Sequence, residues 1–299
     1  MRRLLTLVWA LVLAVTVGLL SASPGLAKVT PPSASGKSIK TSPYVALGDS
    51  YTAPSIEPLV PGQGCGRSTV AYPHLVADRL GVADFVDASC SGADTRDFFT
   101  PQRPDVPPQL DAVTKRTRFV TMTIGGNDGD VFGTVLLSCL VASAQDRAQN
   151  GITGNPCQQQ YGTSFQDQIR KSTYPNLVEA LMAVRRKAPA ASIAIIGYPS
   201  ILPETGTAEC YPTLPISLGD VPYLNDIQAT LNGVVEKAAA ETGARFIDMA
   251  EASEGRDACQ APDVRWIEPL VEPINAQPVH PNAAGQAGMA EELITQLRL

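Results

Sequence analysis

The sequence predicts a doubly wound α/β domain, with a parallel sheet held between two helical layers in a three-layer α/β/α sandwich. Three observations carry this. Five short apolar runs read as strands buried on both faces. Helical patterns, with apolar residues three and four apart, fill the gaps between them. From residue 43 onward no second linker, repeat or low-complexity block interrupts the alternation, so residues 43–299 read as one domain.

The first apolar run, 44–47, ends in Gly48-Asp49-Ser50-Tyr51. A helix follows over 70–80 and stops at Gly81. The second run, 84–87, leads to Ser89-Cys90-Ser91-Gly92, and the third, 119–124, to Gly125-Gly126-Asn127-Asp128. The apolar run 131–141 reads either as a core helix or as the wall of an acyl pocket. Residues 176–187 form a helix, 192–197 the fourth strand, 220–242 a long helix ending at Gly243, and 245–248 the fifth strand. The last helix starts after Asn282, a good N-cap, and reaches Leu297. Stretches 53–68, 97–109 and 199–219, and much of 138–165, read as loops. In the flavodoxin-like strand order 2-1-3-4-5, the first three strands are neighbours, and their carboxyl ends face one crevice.

Composition narrows the function. The chain has 299 residues, 44% of them apolar and 17% charged, which is globular rather than disordered. With 23 basic and 29 acidic side chains, the formal charge of −6 argues against a nucleic-acid partner, which needs a basic face. Residues 1–27 open on Arg2 and Arg3, run apolar from Leu4 to Leu20 and end Gly25-Leu26-Ala27. This reads as a secretory signal cleaved after Ala27, with an uncleaved anchor as the alternative. Cleavage would move the charge from −6 to −8, since the segment holds two arginines and no acid. Residues 28–42, rich in Ser, Lys and Pro, read as a flexible tether. The exported domain is expected to be a monomer.

Six cysteines in an exported chain read as three disulfides. Of the fifteen connectivities six cysteines allow, sequential pairing closes three short, separate loops: Cys65–Cys90, Cys139–Cys157 and Cys210–Cys259. No CxxC spacing occurs and only two histidines are present, so no metal site is expected.

Ser50 is well placed for a nucleophile, at the junction of a buried strand and a loop. It could equally cap a helix, with Asp49 a turn residue. Thr52 in place of glycine excludes the GxSxG elbow. Gly92 permits close backbone approach. Asn127 offers an amide donor, although Asn-Asp-Gly is also ordinary turn chemistry. A serine hydrolase needs a base, and the candidates are His74, inside the 70–80 helix, and His280, in a loop before the last helix.

Taken together, Gly48-Asp49-Ser50-Tyr51, Gly92, Gly125-Gly126-Asn127-Asp128 and His280-Pro281-Asn282 resemble, in order and spacing, the four blocks of the SGNH hydrolases, also called GDSL esterases and lipases. The six cysteines, the signal and Ala71-Tyr72-Pro73 resemble the secreted bacterial three-disulfide branch. The resemblance covers about residues 43–297 and implies the SGNH hydrolase fold without cofactor. It also implies Ser50 as nucleophile, His280 as general base, and an oxyanion hole made of the Ser50 and Gly92 N–H groups and the Asn127 amide. One departure stands out. The family usually has Asp three residues before the histidine, and here that residue is Gln277. Either the Gln277 carbonyl orients the imidazole or a remote acid such as Asp248 does. The resulting expectation is a secreted serine esterase or lipase acting on a small-molecule or lipid ester. A carbohydrate O-acetylesterase and a non-catalytic binding module on the same fold are the alternatives.

Overall fold

The structure is a computed structural model and describes residues 43–62 and 64–299; the expected signal and tether lie outside the described residues. Strands β1 (Tyr44–Gly48), β2 (Phe85–Asp87), β3 (Phe119–Thr123), β4 (Ser192–Ile196) and β5 (Arg245–Ile247) form one sheet in the order β2-β1-β3-β4-β5. All four pairings are parallel. β1 and β3 are wholly buried, which explains why both faces of these strands carry apolar residues, interrupted in β3 only by Thr121 and Thr123.

Chain direction sets the layers. From β1 the sheet grows to one side through β2, and from β3 to the other through β4 and β5. Right-handed crossovers therefore put the helices of the two halves on opposite faces. Helix α1 (Tyr72–Leu80) packs against the last helix, α7 (Ala283–Leu297), on one face; α5 (Tyr174–Lys187) packs against α6 (Val221–Thr242) on the other. Asn282 caps α7 as expected, its side-chain oxygen accepting the Gly285 N–H at 3.0 Å.

Segment 138–165 departs from expectation. Helix α2 runs Val131–Asn150, followed by α3 (Pro156–Tyr161), α4 (Ser164–Gln168) and a π-helical turn, Ile169–Thr173, that leads into α5. The sequence reads as loop here because residues 144–150 are mostly polar, and in the fold they are mostly exposed. The helix is held instead by Val135, Cys139 and Ala142 on its buried side. The three disulfides pair as expected, Cys65–Cys90, Cys139–Cys157 and Cys210–Cys259. Among the described residues no helix is long and apolar enough to cross a membrane.

Candidate active site

β1 delivers Ser50 to the carboxyl edge of the sheet through a turn that only glycine permits. Gly48 has φ +126°, and a Cβ there would lie 2.3 Å from the Thr123 carbonyl oxygen on the neighbouring strand. Beyond it, the Asp49 carboxylate turns inward and is buried. It accepts the Tyr51 N–H at 2.9 Å, the Thr123 hydroxyl at 2.7 Å and the Tyr198 hydroxyl at 2.5 Å. Burial pushes its pKa up to about 6 against these three donors. Tyr198 in turn accepts the Gly126 N–H at 2.9 Å, so one phenol joins the serine turn to the turn after β3.

Ser50 donates its hydroxyl to His280 Nε2 at 2.8 Å, and His280 Nδ1 lies 2.7 Å from the Pro278 carbonyl oxygen. A carbonyl can only accept, so Nδ1 carries the ring proton and Nε2 is left free to accept from serine. Burial lowers the His280 pKa below its ordinary value, partly offset by the Pro278 carbonyl. The neutral, proton-accepting ring is thereby favoured near neutral pH. The ring is braced on two sides, by Tyr51 at 5.3 Å and edge-on by Phe132 at 5.7 Å between centroids.

The orienting carbonyl is not the expected one. The Gln277 carbonyl accepts the backbone N–H of His280 at 3.2 Å, and the imidazole turns instead to Pro278. The reason is Val279, whose φ of +60° is a rare state for a β-branched residue. That state is held by the Val279 N–H to Glu268 O at 3.0 Å and by the Tyr51 hydroxyl to Val279 O at 2.8 Å. Glu268 is itself fixed by a buried pair with Arg265 at 2.6 Å and by the Asn282 amide at 3.0 Å. Asp248 does not face the ring. It is exposed at the end of β5, where it accepts the Ala250 N–H at 2.9 Å. His74 lies at the β2 edge, 3.3 Å from Asp87.

Gly92, at φ +78°, and Asn127 sit on adjoining turns. Asn127 Nδ2 donates one hydrogen to the Ala93 carbonyl at 2.9 Å, which fixes the amide and leaves its second hydrogen available. Asp128 clamps the same two turns by accepting both the N–H and the hydroxyl of Thr95, each at 2.9 Å. Among the described residues the N–H groups of Ser50 and Gly92 have no acceptor. The N–H groups of Ser50 and Gly92 and one Asn127 hydrogen thus keep spare donor capacity on the turns that follow β1, β2 and β3, and Ser50 is hydrogen-bonded to an imidazole.

The family model described as "GDSL-like Lipase/Acylhydrolase family" matches residues 46–287. The chain belongs to this family. Lipase 2 of Streptomyces coelicolor is 47% identical over 277 residues, spanning 92% of each chain. The crystal structure of phospholipase A1 from Streptomyces albidoflavus NA297 has a TM-score of 0.69 at 28% identity, covering 85% of this chain and 99% of that one. The extracellular lipase from Streptomyces rimosus gives a TM-score of 0.66 at 26% identity with the same coverage. Like them, this GDSL-family chain is an ester hydrolase of the lipase and esterase type.

A feature no single motif of this family member announces is the cavity beside Ser50 and His280. The space within it, together with its opening to solvent, is about 710 Å³. Gly126, Phe132 and Val279, neighbours of the proposed reacting groups, form one end. Val135, Leu214 and Leu231 belong to its walls, and Gln228 is the only wholly polar side chain in the lining. In α2, Val131 and Val135 are core residues that also line the cavity. Tyr198 and Pro278 were not singled out in the sequence. Tyr198 lies two residues beyond the end of β4, and the rule that function gathers at carboxyl strand ends would have found it. Pro278 gives no such signal.

Proposed function

We propose that this hydrolase cleaves carboxylic esters bearing an alkyl acyl chain, using a Ser50–His280 dyad whose imidazole is oriented by the Pro278 carbonyl. The observation that carries this reading is the chain of two short hydrogen bonds, Ser50 Oγ to His280 Nε2 at 2.8 Å and Nδ1 to Pro278 O at 2.7 Å. Ser50 Oγ attacks the ester carbonyl while His280 Nε2 takes its proton. The carbonyl oxygen, now negative, receives the Ser50 and Gly92 N–H groups and the free Asn127 hydrogen. His280 passes the proton to the departing alcohol, leaving an acyl-serine. Water then repeats the sequence and releases the acid.

The apolar cavity favours this reading over a carbohydrate O-acetylesterase, whose acyl group is two carbons long and whose alcohol part is polar. The bound hydroxyl, ring and donors argue against a binding module without turnover. Export with cleavage after Ala27, followed by residues 28–42 as a tether and a monomeric domain, completes the proposal; three disulfides support an oxidising destination. The test is labelling by a serine-reactive fluorophosphonate together with turnover of a nitrophenyl ester. Ser50→Ala should abolish both, and His280→Ala should lower turnover by about 10⁴–10⁶. Unchanged labelling of Ser50→Ala would overturn the assignment.

A further inference from the structure

The loop that carries Gly92 is held by a side chain outside the four family blocks. Gln102 Nε2 donates to the Ser91 carbonyl oxygen at 3.0 Å. Ser91 C=O and Gly92 N–H belong to one planar trans peptide, so fixing the direction of one fixes the opposite direction of the other. We propose that Gln102 is a positioning residue that aims the Gly92 N–H at the oxyanion by clamping the Ser91 carbonyl. The proposal rests on the serine hydrolase reading above.

One backbone bond spans this peptide, the Ala93 N–H donated to Cys90 O at 3.0 Å, and closes a turn over residues 90–93; the side chain that holds the central 91–92 peptide itself is Gln102. The Ser91 N–H donates to Cys65 O at 2.8 Å, and the Cys90 N–H to Gly48 O at 3.0 Å, which anchors the chain entering the turn. Ala93 O accepts from Asn127, which anchors the chain leaving it. Between these anchors the 91–92 peptide is flanked by Gly92, whose φ is +78°. Glycine places little steric limit on rotation of that peptide plane. The Gln102 amide nitrogen would sit 3.7 Å from a Cβ at position 92, directly against the peptide it bonds.

Gln102 is positioned by its own loop. Arg103 donates to Gly64 O at 3.1 Å and lies 3.5 Å from Cys90 Sγ, and Val106 is buried against the Cys65–Cys90 disulfide. The other end of the Gln102 carboxamide, Oε1, is buried without a hydrogen-bond partner among the described residues. An amide kept there forgoes one of its own hydrogen bonds, so its presence is not explained by stability alone. Because Ser91 O can only accept, the nitrogen end must face it.

The experiment measures kcat, KM and the Ki of an alkyl boronic acid, which forms a tetrahedral adduct with serine, for Gln102→Ala, Gln102→Met and Gln102→Glu. Gln102→Met keeps the stem and loses the donor, and Gln102→Glu keeps the shape but sets an acceptor against an acceptor. Loss of one complete oxyanion donor costs about 10²–10³ in rate, so a donor that is misaimed rather than deleted should cost about 10–100-fold in kcat. The expected result is that loss in kcat, a matching rise in boronate Ki, KM within about twofold and Tm within about 4 °C of wild type. Gln102→Glu should be the slowest of the three at pH 8.

Folded Gln102→Met with kcat and boronate Ki both within about threefold of wild type would overturn the proposal, as would a fall in kcat without a change in Ki. If Gln102→Ala does not fold, Gln102→Met decides. If neither folds, the side chain supports the fold rather than the donor, and the proposal fails. Ser50→Ala run beside them tests the underlying reading separately. Boronate binding that survives there dismisses the hydrolase site itself, whatever Gln102 does.

Discussion

Lengthening the acyl chain of the substrate is the perturbation that the apolar cavity makes quantitative. Each methylene moved from water into such a lining contributes about 0.8 kcal/mol. That is about a fourfold gain in kcat/KM per carbon, since about 1.4 kcal/mol is a factor of ten. From acetyl to butanoyl the expected gain is about 15-fold, and it should continue to hexanoyl and octanoyl until the space beyond Phe132 and Val279 is filled. The assay is initial rates on nitrophenyl esters from acetyl to palmitoyl, each below its aggregation limit. Leu214→Trp supplies the control, because Leu214 is in the cavity wall and not among the residues around His280. It should leave acetyl ester hydrolysis within about threefold of wild type while removing about half of the gain of about 5 kcal/mol for octanoyl, a loss of about 2–3 kcal/mol. A flat profile from acetyl to octanoyl, or a Leu214→Trp variant equally slow on both, would refute the assignment of this cavity to the acyl chain.

Other perturbations probe the polar parts of the site. Asn127→Ala should lower kcat by about 10²–10³ with little change in KM, because the oxyanion charge exists only in the transition state; early melting with near-normal kcat would point to a turn role instead. Asp248→Asn should leave kcat within about threefold, measured on a folded sample, because a carbonyl rather than a distant acid meets Nδ1. Asp49 yields a pH prediction. Its folded pKa of about 6 lies above the ordinary 3.8, so protonation stabilises the folded state. That stabilisation is complete below pH 3.8 and is lost as pH rises through 6, a swing of about 3 kcal/mol. Denaturant unfolding of Asp49→Asn beside wild type isolates it: the stability difference should move in favour of the variant between pH 4 and 7. A difference independent of pH over that range would contradict the assignment.

What the sequence made legible was whatever depends on near neighbours in the chain. β1 and β3 are buried on both faces, so apolar residues predominate in them, with Thr121 and Thr123 the hydroxyl-bearing exceptions in β3, and the turns that follow them keep glycines where the backbone must fold back. The Ser50, Gly92, Asn127 and His280 positions were visible as strand-end and helix-start residues for the same reason. The one-residue offset from Gln277 to Pro278 was not visible. It depends on Val279 taking a backbone state its own side chain disfavours, under a hydrogen bond donated to Glu268 O and one received from Tyr51, which lies 228 residues away in sequence. Asp49 likewise looked like a turn residue because its partners Thr123 and Tyr198 stand 74 and 149 positions distant. The mostly polar residues 144–150 concealed the second half of α2, whose hold on the core comes from one face only.

The two outer disulfides sit in the elements that wall the cavity. Cys139 lies in α2, which supplies Val131, Val135 and Leu136, and ties it to α3. Cys210 precedes Leu214 and Ile216 and ties their loop to Cys259. Two of the elements that line the cavity are therefore each crosslinked, and neither can swing outward without straining a covalent tether. The pocket behaves as a fixed ruler rather than a sleeve. A ruler discriminates by length at every temperature, whereas a sleeve grows permissive as heating loosens it. The rank order of acyl chains should accordingly hold on warming and become permissive only after the sulfur bridges are reduced.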